Sequence, residues 1–535
     1  MTSKGEIDMY IVMDMGTTNT ELFLCRDGKV VERVKGSFGA SFGKKNGHGA
    51  LCDSAKALID SLISKCGIGE SDIEKIVAVG MAGSEFGLFE LPHIALPTDL
   101  LALAENARFE KIDGINIPFL FIPGVKKMKE NEAVDVMRGE ETEAIGLVSS
   151  LSMSEACVLV LPGTHNKIMS ISDEGEILDF HTTFSGELLD SIVTNTILAG
   201  QVSHKFEIAD SEVLKGASYA KENGLNAALF HIRVMAKNKI GIDELSSFLY
   251  GAVIGEDVDL IKRIAQGKKI YVGGRRTLRY IYSLLLGEEN AVFLSDEEAS
   301  DAMVNGSMLI KRIYNACTKR KAIIEAVEKE KIIAIVRGAE KESCVEAMKA
   351  IYEGGIRLAE ITFDRSGKKT PQETADIVRM LVEALGDKMY IGVGTVTRKE
   401  ELIAAFEAGA SYIISPNCDT EIISLTRKLG LVSIPAAYTA TEIAAAMNSG
   451  ADFVKLFPAN QVSADYVKAI CAPLSDAKLL AVGGVNADNA KDFLNMGFCG
   501  IGVGSNLYNN KLIKEKNFDA LRELARKYSE AVKSE

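Results

Sequence analysis

The sequence predicts two α/β domains in tandem, and three observations lead there. At 535 residues the chain exceeds what one hydrophobic core organises. A strand–Gly/Thr turn–strand unit occurs twice in the first half, near positions 16 and 163. From position 331 onward the pattern changes to strict alternation of short apolar strands with helical stretches.

In the first half, residues 9–13 read as a buried strand running into Asp14, Gly16, Thr17 and Asn19. Strands follow at 21–25 and 29–34, then a helix over 49–66 and a strand at 76–79. The charged segment 133–143 is expected to start a helix, since acidic residues suit a helix N-terminus. A strand at 157–161 enters a second turn containing Gly163, Thr164 and His165, and a strand at 168–171 leaves it. Backbone N–H groups and hydroxyls in such turns can cradle phosphate, with an Asp at the strand end holding Mg²⁺ through water. The same residues would also make a plain hairpin. Two such turns, each entering its own half, is the layout of an actin/hexokinase-like two-lobed fold that clamps ATP. Gly273 and Gly274, after a strand at 269–272, would add a glycine turn near the adenosine.

In the second half strands fall at 332–337, 357–363, 389–395, 412–416, 431–437, 453–458, 478–484 and 500–504, with a last helix over 517–532. The strands are apolar throughout, as parallel strands buried on both faces must be. Eight βα units predict a TIM (β/α)8 barrel, whose chemistry lies at the C-terminal strand ends. Those ends carry Arg337, Glu360, Thr395, Pro416, Lys455 with Phe457, Gly483 and Gly484, and Gly504 with Ser505. Lys455 sits between Phe453, Val454, Leu456 and Phe457. An ammonium stripped of water in such a strand favours the neutral amine, a nucleophile towards carbonyl carbon. The alternative is a lysine snorkelling from a strand end. A Schiff-base lysine, a carboxylate for proton transfer and glycine ends for phosphate together describe a class I aldolase acting on a phosphorylated keto acid.

No Pro/Gly/Ser-rich linker separates the halves; the charged, helical stretch 311–331 joins them, and the division is expected at 1–317 and 318–535. The net charge of −13 argues against nucleic acid or an anionic membrane as partner. No apolar run reaches the ~20 residues a membrane helix needs. The first residues lack the basic-then-apolar layout of a signal peptide. Nine scattered cysteines without a CxxC pair point away from zinc or a disulfide framework and fit a reducing cytoplasm. All histidines precede position 232, so acid–base chemistry in the second half must use carboxylates, Lys, Tyr or water.

The ordered segments IVMDMGTTNT, VGMAGSEFG, VMRGEET, LPGTHNK, FSGELL and FLYGAVIG resemble the 2-dehydro-3-deoxygalactonokinase family over roughly 8–315. The resemblance implies ATP-dependent phosphorylation of the terminal hydroxyl of a 2-keto-3-deoxy sugar acid. It implies phosphate and Mg²⁺ contacts from Asp14 (the metal held through water), Gly16, Thr17 and Asn19, and a second phosphate turn at Gly163, Thr164 and His165. Related sugar kinases carry Gly-Asp at a helix start before that second turn; here it is Gly139-Glu140, which makes Glu140 the candidate base. Arg138 or Lys167 is the candidate grip on the substrate carboxylate; as surface charges they would do neither.

The segments IIAIVRG, GIRLAEITF, IGVGTV, IISPN, FVKLFPA, AVGGVN and GVGSNLY resemble the 2-keto-3-deoxy-6-phosphogluconate/galactonate aldolase family over roughly 320–510. This implies Lys455 as the Schiff base, Glu360 as acid/base, and Thr395 and Arg337 on the pyruvate carboxylate. Gly483, Gly484, Gly504 and Ser505 would hold phosphate, and no metal would be needed. Gluconate-type members carry an Arg in Leu-Arg-Thr after the Glu; here Arg365 is displaced by one residue. Val482 and the Ser-Asn-Leu-Tyr ending are closer to galactonate-type members. The family also implies a homo-oligomer, a trimer through the second half. The two implied reactions are consecutive: the kinase's product is the aldolase's substrate. The gluconate epimer as substrate, and a non-catalytic ATP- and sugar-sensing first half, are the alternatives.

Overall fold

The computed structural model describes residues 9–533. The chain divides into two compact units, one ending at Arg312 and the next beginning at Ile313. The division falls within one long helix, Asp296–Glu330.

The first unit contains two sheets of matching topology. In one, the strand Met9–Met15, apolar from Met9 to Met13, pairs antiparallel with Thr20–Arg26 and parallel with Ile76–Gly80. In the other, Cys157–Leu161 pairs antiparallel with Asn166–Ile171 and parallel with Lys269–Val272. Each central strand is buried on both faces, which explains its unbroken apolar run. Helix His48–Cys66 buries Leu51, Ala55, Ile59 and Leu62 with Ile11, Met13 and Ile76 of the first sheet. Helix Ile242–Ala265 does the same for the second, setting Leu249, Ala252 and Val253 with Val158, Val160 and Ile270. This repeated plan is the two-lobed kinase-like arrangement expected from the two Gly/Thr turns.

One expected element is different. Residues 133–137 are not the start of a helix but the strand Glu132–Met137, hairpinned onto Val125–Lys129. Val134 and Val136 alternate with polar residues, a period of two, and that pattern outweighs the local acidity. The helix begins only at Glu140, with Gly139 at its N-cap. Its position is set by the long helix: a Cβ on Gly146 would strike the Ala302 carbonyl, and one on Gly306 the Thr142 carbonyl. The two helices therefore meet backbone to backbone.

The second unit is a closed parallel barrel. Its sheet runs in the order Val432–Ile434, Tyr412–Ile414, Tyr390–Gly394, Leu358–Thr362, Ile332–Val336, Gly500–Val503, Leu479–Val482, Val454–Leu456, Ala436–Ala437. The two end members are halves of one strand split at Pro435, which has no N–H to donate. Its carbonyl still accepts from the Lys455 N–H at 2.8 Å. Counting them as one gives the eight expected strands, and the circle is complete. A layered sandwich is thereby excluded. The interior is filled by Ile333, Leu358, Tyr412, Val432, Phe453 and Leu480, and Ile323 and Val327 of the long helix plug one end. A larger apolar layer lies between strands and outer helices. Among the described residues no helix is long and apolar enough to cross a membrane.

Candidate active sites

In the first unit the strand ends and the start of helix Glu140–Ser150 enclose a cavity of about 480 Å³. Of the residues singled out in sequence, Asp14, Gly16, Thr17, Arg138, Glu140, Gly163, Thr164, His165 and Lys167 all line it. Each turn is built in the same way. A Cβ on Gly39 would strike the Gly16 carbonyl, and one on Gly186 the Gly163 carbonyl. The next segment then donates its backbone to the turn: Ser41 N–H to Thr17 O at 2.9 Å, Glu187 N–H to Thr164 O at 2.9 Å. The second turn is braced further. Asn166 Oδ1 accepts from the Gly163 N–H at 2.9 Å, and its amide donates to buried Asp257 at 2.7 Å, which Ser185 and Tyr282 also reach.

Asn19 stands outside the cavity lining; its carbonyl accepts from the Gly16 N–H at 2.8 Å and its side chain donates to Thr18. Gly273 and Gly274 lie behind the second turn rather than on the cavity. The Gly273 N–H donates to Val160 O at 2.9 Å, and a Cβ on Gly274 would come within 2.8 Å of the Pro162 carbonyl. His165 faces Glu187, with Nε2 and Oε2 at 2.7 Å.

Carboxylates dominate the electrostatics. Burial, together with repulsion from Glu21 and Glu140, pushes Asp14 up to about 6. Glu143, one helical turn past Glu140 and also on the cavity, is pushed up to about 8 by burial and by Glu140, Asp14 and Glu141. Glu141 turns away: it is fully buried and accepts from the Gly139 N–H at 2.7 Å and from Thr142. Glu140 lies 3.5 Å from the buried Lys167 ammonium. Arg138 donates to the Leu91 carbonyl at 2.6 Å and lies 3.4 Å from His93 Nδ1. Burial beside Arg138 and Lys126 holds His93 down at about 4, so its ring is neutral at physiological pH.

His93, Glu141 and Glu143 were not singled out in sequence. The run of acids at 140–143 was visible; that only one of the three folds away was not. A site with several crowded oxygen donors suits a hard divalent cation, which usually takes one or two carboxylates plus phosphate oxygens and water. Among the described residues no cluster of three or more His, Cys, Asp or Glu side chains is placed to hold a metal ion.

Glu143→Gln tests the crowding. Below the unfolded-state pKa near 4.5 the wild-type carboxyl is protonated in both states, and glutamine should match it. Between there and about 8 the unfolded chain loses the proton while the folded chain keeps it, so wild-type stability falls. The variant's melting-temperature advantage should therefore be near zero at pH 4.5, grow with pH, and level off above pH 8. An advantage that shrinks with rising pH contradicts this assignment.

In the barrel Glu360 and Lys455 line one small interior pocket with Ile335, Ile414, Ile434 and Leu480. Glu360 is 2% exposed, and burial raises its pKa against the pull of Lys455 and Arg337. Among the described residues nothing hydrogen-bonds its Oε2. Lys455 Nζ stands 5.3 Å from the centre of the Phe457 ring. Arg337 and Thr395 line a wider cavity at the barrel mouth, about 540 Å³, together with Asp364, Arg365 and Lys369. Pro416, Gly483, Gly484, Gly504 and Ser505 line neither cavity, although all stand at C-terminal strand ends around the same mouth. Gly483, at φ +100°, packs under Phe457, and Asn489 donates to the Gly484 carbonyl at 3.0 Å.

Two glycines on one strand make room inside the barrel. A Cβ on Gly392 would strike the buried Tyr412 ring, and one on Gly394 would lie 2.8 Å from the Glu360 carboxyl carbon. Glycines two apart in a strand signal such close approaches on one face; IGVGTV carried that signal in sequence. Gly394→Ala should displace the Glu360 carboxyl while leaving the fold intact. Misplacing a catalytic group by ~1 Å can cost about 10²-fold, so with the acid/base role expected for Glu360 from the sequence, kcat of the barrel's reaction should fall on that order, with substrate KM little changed. An unaltered kcat would show that Glu360 does no chemistry.

The family model for 2-keto-3-deoxy-galactonokinase matches residues 14–310, and that for KDPG and KHG aldolase matches 323–524. The chain is 33% identical over 202 residues to the 2-dehydro-3-deoxy-6-phosphogalactonate aldolase of Escherichia coli (strain K12), spanning 38% of this chain and 96% of that protein. It is 28% identical over 215 residues to the 2-dehydro-3-deoxy-phosphogluconate aldolase of Haemophilus influenzae, spanning 39% and 97%. A Rhizobium meliloti (strain 1021) protein named "Probable 2-dehydro-3-deoxygalactonokinase DgoK1" is 28% identical over 238 residues, spanning 44% and 72%.

Proposed function

Since the chain belongs to the 2-keto-3-deoxy-galactonokinase family in its first unit and to the KDPG and KHG aldolase family in its second, we propose that it runs two consecutive reactions. The first unit phosphorylates 2-dehydro-3-deoxy-D-galactonate at O6 with ATP. The second cleaves the resulting 2-dehydro-3-deoxy-6-phosphogalactonate to pyruvate and D-glyceraldehyde 3-phosphate. The observation that carries this reading is the pairing itself: one chain holds a kinase domain and an aldolase domain whose product and substrate coincide.

In the kinase unit the turns at Gly16–Thr17 and Gly163–Thr164 receive the nucleotide phosphates on their backbone N–H groups. Mg²⁺ bound with ATP would neutralise phosphate charge, and Asp14 would hold it through water. Arg138 takes the substrate carboxylate. Glu140, oriented by Lys167, accepts the proton of the O6 hydroxyl as it attacks the γ-phosphorus, whose bond to the bridging oxygen breaks as ADP leaves.

In the barrel the Lys455 amine adds to the C2 carbonyl and water leaves, giving a protonated imine. Thr395 and Arg337 hold the C1 carboxylate, and the strand-end glycines with Ser505 take the phosphate. Glu360 removes the C4 hydroxyl proton, the C3–C4 bond breaks, and its electron pair passes into the imine as an enamine. Protonation at C3 and hydrolysis release pyruvate. A buried, raised carboxyl suits a group that both takes and returns a proton. The higher identity to the galactonate-type aldolase favours that epimer.

The test is pyruvate release by the full chain from 2-keto-3-deoxygalactonate and from its gluconate epimer, each with and without Mg-ATP. ATP-dependent pyruvate from the galactonate compound is expected. ATP-independent release would overturn the order of the two steps, and release from the gluconate compound alone would overturn the epimer. Failure to phosphorylate either acid would leave the first unit a sensor.

A further inference from the structure

Arg365 lies on the loop after strand Leu358–Thr362, and the loop is ordered by the residue just before Arg365, Asp364. The Asp364 carboxylate accepts from Ser366 Oγ at 2.7 Å and from the N–H groups of Ser366, Lys368 and Lys369 at 2.9, 2.7 and 2.9 Å. A capping box at Thr370 and Glu373 then starts the next helix. Arg365 is thus presented from a fixed loop.

Its guanidinium is committed to protein. Nη1 and Nη2 donate in parallel to the two Glu401 oxygens, each at 2.7 Å. Nη2 also donates to the Thr395 carbonyl at 2.7 Å and to Thr397 Oγ1 at 2.5 Å. Glu401 is 3% exposed and accepts from the Thr397 N–H at 2.9 Å. A buried carboxylate without a fork-shaped cation would be costly, which fits Arg rather than Lys here.

The residue so gripped is unusual. Thr395 has φ +63°, the left-handed region that a β-branched residue rarely occupies. Such strain persists only where the surroundings over-determine it, and it clusters at functional sites. Thr395 and Arg365 both border the mouth cavity with Arg337.

We propose that Arg365, locked by Glu401, is a positioning residue of the aldolase: it holds Thr395 in its left-handed conformation so that the threonine hydroxyl meets the substrate carboxylate, and it does not touch the substrate. This rests on the reading of Thr395 as a carboxylate contact. It also gives the displaced arginine a role: its side chain serves the loop after strand Tyr390–Gly394.

The experiment uses the full chain and measures capture of pyruvate, and of carboxylate-free acetone, on Lys455 by borohydride reduction, read by intact mass. Arg365→Ala should raise half-saturation for pyruvate about tenfold and leave that for acetone within twofold. Arg365→Lys and Glu401→Gln, which keep bulk, should give intermediate losses and serve if Arg365→Ala folds poorly. Thr395→Ala should lose pyruvate affinity similarly, and adding Arg365→Ala to it should cost less than twofold more. Equal losses for pyruvate and acetone would reduce Arg365 to a structural role and overturn the proposal. Multiplying losses in the double variant would place Arg365 on the substrate and overturn it too, as would an Arg365→Ala enzyme that captures pyruvate normally while Thr395→Ala does not. If Thr395→Ala alone captures pyruvate normally, the underlying reading of Thr395 fails, and the proposal with it.

Discussion

Lys455→Met will abolish pyruvate release, by at least ~10⁴-fold, while ATP-dependent phosphorylation of the sugar acid continues at the wild-type rate. The loss is large because no neighbour can replace the nucleophile. Among the residues lining its interior pocket the others are Glu360 and apolar side chains with one glycine, and removing a covalent catalyst forfeits the whole two-step route. Methionine keeps the length and apolar stem of the lysine, so Val454 and Leu456 remain packed on the barrel and Tm should change little. The measurement is a pair of assays on one preparation: ADP formation from the unphosphorylated acid, and pyruvate formation from the phosphorylated one. Borohydride with pyruvate should label the wild type and not the variant. Label retained in Lys455→Met would move the Schiff base to another lysine. Loss of both activities together would contradict the separation of the two sites along the chain.

Glu140→Gln should lower kinase kcat by about 10²–10⁴, the usual worth of a positioned general base, with KM for ATP little changed. The comparison that makes this decisive is Glu143→Gln. Both carboxylates line the cavity, but their surroundings differ. Burial and three like charges push Glu143 up to about 8, so at neutral pH it holds its proton and is a poor acceptor. Glu140 instead pairs with the Lys167 ammonium at 3.5 Å, which orients it toward the cavity it lines. Glu143→Gln should therefore cost kcat less than tenfold. Steady-state ADP release at pH 7.5 checks both, and a reversed ranking would transfer the base role to Glu143.

Much of the candidate chemistry was legible because it lies in contiguous runs. The Gly/Thr turns near 16 and 163 each announce themselves within a few residues, and Lys455 is marked by its four apolar neighbours in one strand. The eight barrel strands were readable for the same reason: a buried parallel strand is an unbroken apolar run. Residues 133–137 form a strand instead of the expected helix start because charge at a helix start and alternation in a strand compete over the same residues. Only the pairing of Glu132–Met137 with Val125–Lys129 decided it.

What the amino-acid order determined by itself is therefore the two-domain plan, the strand and turn units, and the residue types available to each site, since binary pattern and turn chemistry act over a few residues. Tertiary structure alone decided which of those residues meet. Gly394 is needed because strand register places it beside Glu360 across the sheet, and Arg365 serves Thr395 because two loops thirty residues apart converge on Glu401. Glu141 leaves the cavity while Glu140 and Glu143 stay because the helix beginning at Gly139 turns about 100° per residue. Each is a contact between distant or differently rotated positions, and only closing the sheets and packing the helices brings such positions within hydrogen-bonding reach.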